Sequence, residues 1–253
     1  MKLRQPRKKT PESYRDRTYR TLEQSGLISS YARMVETDLH ILAPVDVEDE
    51  ALRQVAEVRR QIEGYARTNP SFIDSLRPLP LDESAPQVVR EMLAAGLAAG
   101  VGPMAAVAGV IAEFVGLGLQ QAGIEDLIVE NGGDIFIARK QDCTVSVFAG
   151  TSPLSDKVGM RIAQADMPCG VCCSSGTIGH SLSFGQADAV VVAAPTTALA
   201  DAAATRIGNE VGRGGRNLEG ALQIAGTIRG ITGTLIICGD KLGARGSLEI
   251  VRL

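Results

Sequence analysis

Three separate stretches of the chain combine side chains that can bind ions or phosphate with glycines that allow a close backbone approach. They cover residues 131–134, 174–180 and 201–205. Loops of this composition can direct several hydrogen-bond donors at one anion. The pattern therefore predicts a single functional site that is assembled from all three stretches.

Asp201 and Thr205 lie four residues apart in a segment that the sequence predicts to be helical, with Thr196 or Thr197 as its N-terminal cap. Their oxygen atoms should therefore project from one face of the helix, one turn apart. A carboxylate and a hydroxyl are hard ligands suited to Mg²⁺, which completes its shell with water and substrate phosphate. The alternative is an ordinary solvated polar pair on an alanine-rich helix.

Asn131, Gly132, Gly133 and Asp134 follow a short predicted strand at residues 127–129. Paired glycines adopt positive φ at no steric cost, so the backbone can approach a ligand closely. The alternative is a hairpin turn or a β-bulge in which Asp134 bonds to its own loop.

The second stretch is rich in hydroxyl groups and contains His180, one of only two histidines in the chain. Ser174, Ser175, Gly176 and Thr177 can donate hydrogen bonds to a phosphate, and His180 can act as a general base. Since no charged residue stands beside His180 to orient the imidazole, a loop histidine without a special role is the alternative.

Cys169 and Cys172 have the Cys-x-x-Cys spacing of redox pairs and of half a zinc site. The pair falls in a predicted strand, and no second pair of this kind completes a zinc site, so we rank thiol redox and zinc chemistry last. Five cysteines, an odd number, behind a basic start without a signal-like apolar stretch favour a reducing compartment. The sequence therefore predicts a cytoplasmic location.

The composition bounds the remaining classes. A chain of 253 residues with 45% hydrophobic content can bury a substantial core, and we expect one domain over residues 1–253, with two domains as the alternative. A net charge of −3 gives no global basic field, so nucleic acid and anionic membrane are not favoured as partners. Residues 1–20 contain eight Lys or Arg residues and two acidic ones, which predicts a basic N-terminal arm, or a solvated terminus.

The hydrophobic pattern predicts the elements that position the three stretches. Residues 31–44 alternate as a strand, residues 48–69 form an amphipathic scaffold helix, and residues 105–121 form a buried helix. A near-continuous apolar strand at residues 187–194 should be covered on both faces. Further strands are predicted at residues 135–138, 144–148, 158–162, 171–174, 235–238 and 247–251. We expect an α+β fold with a mixed or antiparallel sheet and packed helices.

The uncharged residues 92–111 approach the length of a membrane span. They are rich in alanine and glycine, and Gly102 and Pro103 interrupt them. We therefore predict two buried helices that meet at this point, and no membrane segment.

Taken in order, these motifs resemble the ApbE-like flavin transferase superfamily over residues 100–209. The matching sequence segments are VGPMAAVAGVIAE, GIEDLIVENGGDI, SSGTIGHSLSFG and AVVVAAPTTALADAAAT. It is similar in particular to a compact branch of that superfamily whose members have no known function. The resemblance implies one ApbE-like domain that uses FAD and Mg²⁺ to transfer FMN onto a Thr or Ser of a target protein, with Asp201 and Thr205 as metal ligands.

The chain departs from the superfamily's pattern in two places. Ala108 stands where the phosphate-binding lysine falls, followed by Gly109, and Glu113 stands at the acidic position that suggests a ribose or base contact. The histidine loop lacks the superfamily's Asp-Pro, and only three residues separate Gly176 from His180. The first hypothesis is therefore an enzyme, or a degenerate enzyme, that binds a phosphate-bearing small molecule. The second is a non-catalytic metabolite-binding or assembly protein, and a homo-oligomer is compatible with both.

Overall fold

The computed structural model describes residues 26–175 and 185–253. The predicted basic arm of residues 1–20 lies outside the described residues and stays a prediction.

The strands of the described residues form two antiparallel sheets. In chain order they are β1 (Ile28–Met34), β2 (Thr37–Ala43), β3 (Leu127–Asn131), β4 (Asp134–Ala138), β5 (Cys143–Ser146), β6 (Val158–Ile162), β7 (Cys169–Ser174), β8 (Ala189–Ala194), β9 (Gly233–Cys238), β10 (Lys241–Gly246) and β11 (Glu249–Arg252). The larger sheet has the order β1-β2-β3-β4-β7-β8-β9-β10, and the smaller one has the order β11-β6-β5.

The helices pack on one face of the larger sheet, and the smaller sheet covers part of the other. They are α1 (Glu48–Thr68), α2 (Ser71–Asp74), α3 (Gln87–Ala99), α4 (Val107–Gln121), α5 (Thr197–Gly208) and α6 (Leu218–Ala225). Apolar residues of α1, α3 and α4 share one core with β1 to β4, and α5 and α6 share a second with β8 and β9. A third core lies between the two sheets. These layers confirm the predicted α+β class with an antiparallel sheet and packed helices.

Alternation along β3 and β4 decides which side chains reach the helices. Leu127 and Val129 join the helical core, whereas Ile128 joins the core between the sheets. Because side chains in a strand alternate between faces, Asn131 belongs to the helical side with Val129. On β4, Phe136 joins the helical core, so Asp134 faces the same way.

The prediction of one strand at residues 31–44 was wrong. The segment contains most of a two-stranded hairpin, in which β1 begins at Ile28 and the turn lies at Val35 and Glu36. Val35 has a φ of 54° although no Gly, Asn or Pro marks the turn. Since the turn carries none of the usual sequence signals, the periodicity of the two strands reads as one segment.

The helix predicted at residues 48–69 agrees closely with α1, and Pro103 begins a new helical run after α3 ends, as predicted. Gly100 closes α3 in the left-handed region at a φ of 76°. The run Pro103–Gln121 has a mean hydropathy of 1.5 and could cross a membrane by length and composition alone. Half of that window is buried inside the fold, as in a core helix.

Candidate functional site

The turn between β3 and β4 brings the first predicted stretch to the helical face of the sheet. Asn131 and Asp134 are paired across the hairpin, and Gly132 and Gly133 between them have φ values of 70° and 105°. This is the positive-φ pair that a two-residue hairpin turn requires. The Gly133 N–H donates to Glu130 Oε1 over 2.8 Å, which fixes the turn from the opposite face.

The turn is also anchored to α4. Asn131 Nδ2 donates to the carbonyl oxygen of Ala108 over 3.0 Å. The first turn of α4, which contains Ala108, therefore lies directly over the end of the hairpin.

The third stretch lies on α5, which begins where Pro195 ends the buried strand β8. Thr196 is the N-cap, and its hydroxyl oxygen accepts the Leu199 N–H over 3.3 Å. Asp201 and Thr205 follow on this helix, so the predicted cap and the predicted helix are both present.

Two glycines allow α5 to approach its neighbours closely. A Cβ atom at Gly109 of α4 would lie 2.5 Å from the Thr197 carbonyl oxygen and 2.8 Å from Asp201 Cβ. A Cβ atom at Gly170 of β7 would lie 2.3 Å from Thr197 Cα. Because neither position has room for a larger residue, α5 packs tightly against both α4 and β7, and this packing fixes the position of Asp201.

Asp201 is the central charged group of the site. Asp201 is only 9% exposed, and its Oδ2 accepts the Gly109 N–H over 2.9 Å. Burial raises the pKa of Asp201 to about 7, although the backbone N–H groups of Gly109 and Ala108 oppose the shift. The carboxyl therefore changes its charge near neutral pH, where a cation could compete with a proton for it.

Asp134 is a second buried carboxyl that is coupled to the first. Burial raises the pKa of Asp134 well above its ordinary value, and the negative charges of Asp201 and Glu130 raise it further. The negative charge of Asp201 therefore disfavours the ionisation of Asp134, and the two carboxyls titrate as a pair. Two neighbouring carboxyls of this kind favour an added cation, because a cation would remove their mutual repulsion.

A cavity of about 860 Å³ opens beside these residues. Among the residues named from the sequence, Asn131, Asp201 and Thr205 line the cavity, together with Ala108. Asp134 and Glu113 are not among its lining residues. The structure thus brings the first and third stretches together at one cavity.

The opposite wall of the cavity belongs to α1, which sequence reasoning treated as a scaffold. Its lining residues are Arg59, Ile62, Glu63, Ala66 and Arg67. Their spacing of three and one marks a single helical face. That spacing was readable from the sequence, but the sequence does not show that the face borders a cavity rather than solvent.

Glu113 has a structural contact that the sequence did not indicate. Its Oε2 accepts the backbone N–H groups of Thr197 and Ala198, over 2.8 Å and 3.2 Å, at the first turn of α5. A carboxylate is stabilising at this position, because the first N–H groups of a helix have no partner within the helix. Burial raises the pKa of Glu113, and the two N–H groups lower it in part.

The second stretch is described only at its start. Ser174 is the last residue of β7 and is buried, on the same face as Cys172 and the helices. Ser175 follows it. Gly176, Thr177 and His180 lie outside the described residues, so their predicted roles stay predictions.

The donor set at the cavity fits Mg²⁺ shared with a ligand. Within residues 26–175 and 185–253 no group of three or more His, Cys, Asp or Glu side chains is arranged to hold a metal ion. Mg²⁺ does not need such a cage, since it usually takes one or two carboxylates and retains water or phosphate oxygens. The hydroxyl of Thr205 and the ionisable carboxyl of Asp201, which face one cavity, meet that requirement.

Cys169 and Cys172 lie in β7 on opposite faces of the sheet. Cys169 belongs to the core between the sheets, and Cys172 belongs to the core under α5. Residues three apart in a strand point away from each other, so these thiols cannot close a disulfide or share a zinc ion without a change of the sheet. The Cys172 thiol instead lies 3.4 Å from the Thr197 carbonyl oxygen.

Comparison with known proteins places this geometry in a family. A family model described as AbpE bacteria matches residues 20–222. A UPF0280 protein of Methanosarcina acetivorans is 39% identical over 222 residues, which is 87% of this chain and 87% of that relative. A UPF0280 protein of Methanocaldococcus jannaschii is 39% identical over 229 residues, covering 87% and 92% of the two chains. These names state no activity.

Solved structures show the same fold. The flavin transferase ApbE from Vibrio cholerae matches with a TM-score of 0.52 at 15% identity, over 87% of this chain and 97% of that chain. The ApbE protein of Thermotoga maritima matches with a TM-score of 0.53 at 12% identity, with the same coverage. The fold and the resemblance predicted from the motifs are both confirmed.

Proposed function

The chain belongs to the family described as AbpE bacteria, and from that premise we propose that it binds a flavin nucleotide, or another phosphate-bearing small molecule, beside Mg²⁺. The observation that carries the proposal is the position of Asp201, a buried carboxyl that borders the cavity with Thr205 one turn further along α5. The finer hypothesis, which comes from the resemblance, is that the ligand is FAD and that FMN is transferred to a Thr or Ser of another protein.

Asp201 and Thr205 are the residues that would hold the metal. When bound, Mg²⁺ would supply positive charge at the carboxylate and polarise a ligand phosphate. The N–H groups of Ala108 and Gly109 orient Asp201 and stabilise its ionised form, which is the form that a cation requires.

The β3–β4 turn would form the second contact with the ligand. Gly132 and Gly133 have no side chains to obstruct the approach of a nucleotide, and Asn131 faces the cavity from the adjacent position. Asp134 lies beneath the turn and is not among the residues that line the cavity, so it would affect the site through its coupling to Asp201 rather than by contact with the ligand.

The hydroxyl-rich loop would complete the site. Ser174, Ser175, Gly176 and Thr177 would donate hydrogen bonds to phosphate, and His180 would accept a proton from the attacking hydroxyl. In FMN transfer, the acceptor oxygen forms a bond to the FMN phosphorus, the pyrophosphate bond breaks, and AMP leaves. His180 lies outside the described residues, and its role stays a prediction from the sequence.

Glu113 would support the site without contacting the ligand. Its Oε2 already accepts two N–H groups of α5. In place of the ribose contact suggested by the sequence, we propose that Glu113 stabilises the first turn of α5, the helix that carries Asp201.

The test is a titration of the full chain with FAD and with FMN, followed by flavin fluorescence, in Mg²⁺ and in EDTA. We expect binding that weakens at least about tenfold in EDTA, because one charge-assisted contact contributes about 1.5–3 kcal/mol. Asp201→Asn should abolish the difference between Mg²⁺ and EDTA.

Asp188→Asn is the matched control for that variant. Asp188 Oδ2 also accepts a backbone N–H, from Gly239 over 2.7 Å, but Asp188 does not line the cavity. It should leave the effect of Mg²⁺ unchanged. Flavin binding that responds equally to Mg²⁺ in the wild type and in Asp201→Asn would contradict the metal assignment.

A non-catalytic ligand-binding protein is the second candidate, and Ala108 favours it. This residue lines the cavity at the position of the superfamily's lysine, so α4 supplies no cation there. Tight flavin binding without transfer of FMN to any Ser- or Thr-bearing acceptor, followed by mass spectrometry, would support this candidate. Cytoplasmic location and homo-oligomerisation stay predictions under both.

A further inference from the structure

The cavity has two arginines on its α1 wall, and they differ in how their charges are neutralised. Arg59 has a side chain only 16% exposed. Its guanidinium donates to Thr37 Oγ1 over 2.9 Å and forms ion pairs with Glu36 over 3.0 Å and Glu63 over 2.9 Å. The Arg59 guanidinium therefore binds two carboxylates and a hydroxyl, and it links α1 to the β1–β2 turn.

Arg67 lies two helical turns further along the same face of α1. It also lines the cavity, and its residue is exposed. The described part of the chain gives it no ion pair and no side-chain hydrogen bond. Arg67 is therefore the cationic side chain at this cavity that remains available to a ligand.

The charges of the residues that line the cavity determine how it would interact with an anionic ligand. The lining carries the acidic residues Glu36, Glu63 and Asp201, and Arg59 is already shared between two of them. Ala108 adds no positive charge where α4 reaches the cavity. Among the described lining residues, the net charge without Arg67 would be negative, so this part of the cavity would repel an anionic ligand.

We propose that Arg67 on α1 is the phosphate-recognising cation of this cavity and takes over the task for which α4 offers only Ala108. The inference rests on the proposed function, since it assumes that the cavity binds a phosphate ester. Arginine suits the task because its planar guanidinium can donate two parallel hydrogen bonds to a phosphate. The apolar residues Ile62 and Ala66, on the same face of α1, would contact the uncharged part of the ligand.

The proposal predicts a selective loss of affinity. FMN and riboflavin differ by one phosphate, so the ratio of their dissociation constants measures phosphate recognition. In the full chain with Mg²⁺, Arg67→Gln should weaken FMN binding about tenfold or more and leave riboflavin binding unchanged. It should also reduce the dependence of FMN affinity on salt concentration.

Two variants control for structural effects. Arg67→Lys keeps the positive charge but not the paired hydrogen bonds, so its FMN affinity should lie between those of the wild type and Arg67→Gln. Arg60→Gln removes an arginine from the solvent side of α1, where Arg60 pairs with Glu57 and does not line the cavity, and should change neither ligand.

The outcomes separate this inference from the proposed function. If the wild type binds FMN and Arg67→Gln binds it equally well, Arg67 is not the phosphate contact, while the proposed function stands. Equal losses for FMN and riboflavin would show a structural effect and would also overturn the inference. A wild type that binds neither FMN nor FAD at any Mg²⁺ concentration would overturn the proposed flavin binding, and the inference with it.

Discussion

The Asp201 carboxylate accepts the backbone N–H of Gly109 over 2.9 Å, and this contact joins the middle of α5 to the first turn of α4. The two residues are 92 positions apart in the chain, yet a Cβ atom on Gly109 would touch Asp201 Cβ at 2.8 Å. A buried acid is thus fixed by a backbone donor at the edge of a cavity. The stability of the α4–α5 packing and the position of the Asp201 carboxylate therefore depend on the same contact.

The first prediction concerns pH and the metal-free protein. Because burial raises the pKa of Asp201 from 3.8 to about 7, the unfolded chain loses this proton before the folded chain does. The contribution of Asp201 to stability is therefore complete below pH 4 and is lost as the pH rises to about 7. The slope is at most about 1.4 kcal/mol per pH unit for one proton.

Urea unfolding in EDTA at several pH values between 5 and 8 measures this effect. Between pH 5 and 7, the free energy of unfolding of the wild type should fall with rising pH relative to that of Asp201→Asn. Curves that stay parallel from pH 5 upwards would show that Asp201 is already ionised throughout this range.

The second prediction concerns Gly109. Gly109→Ala should lower the free energy of unfolding by about 1–3 kcal/mol, because the new methyl group would overlap the Thr197 carbonyl and Asp201 Cβ. The displacement of α5 should also weaken Mg²⁺-dependent flavin binding.

Gly64→Ala is the matched control, since Gly64 lies within α1 and a Cβ atom there would meet nothing within 4 Å. It should stabilise the protein by about 0.5–1 kcal/mol through helix propensity. Equal unfolding midpoints for the two variants would show that α4 and α5 are not tightly packed at Gly109.

The third prediction separates the two roles considered for Glu113. Glu113→Ala removes the acceptor of the Thr197 and Ala198 N–H groups, so the free energy of unfolding should fall by about 1–3 kcal/mol. Glu113→Gln keeps an acceptor oxygen and should lose less. In both variants, flavin affinity measured under conditions where the protein is fully folded should stay within about twofold of wild type. A large loss of flavin affinity without a loss of stability would instead support the hypothesis that Glu113 contacts the ribose.

The fourth prediction concerns the thiols. Burial raises the pKa of Cys143 to about 11 and the pKa values of Cys169 and Cys173 to about 12. Because only the thiolate reacts, the folded protein should react slowly with a disulfide reagent at pH 8, and the unfolded protein should react fast. The intact mass should not change on reduction. A gain of two hydrogens on reduction, lost in Cys169→Ser, would contradict the opposite-face geometry.

Much of the fold follows from local pattern. The apolar spacing of α1, the apolar run of β4 and the cap at Thr196 each act over a few residues, so the sequence indicates them directly. The β1–β2 hairpin was missed because its Val35 turn carries no glycine, asparagine or proline. The exposed edge strand β10 was missed because it has no apolar alternation to identify it.

By itself, the sequence determined which elements form and which residue types each one offers: the carboxyl and hydroxyl of α5, the positive-φ glycines of the β3–β4 turn, and the order of motifs that identifies the family. Only the tertiary structure decided which of them meet. It places Asp201, Asn131 and Arg67 of α1 at one cavity. It brings the Glu113 carboxylate of α4 into contact with the start of α5, and it separates Cys169 from Cys172 across the sheet. The physical reason is that helix periodicity and strand alternation are local, whereas a buried carboxyl gains its neighbours, its raised pKa and its cavity from segments far away in the chain.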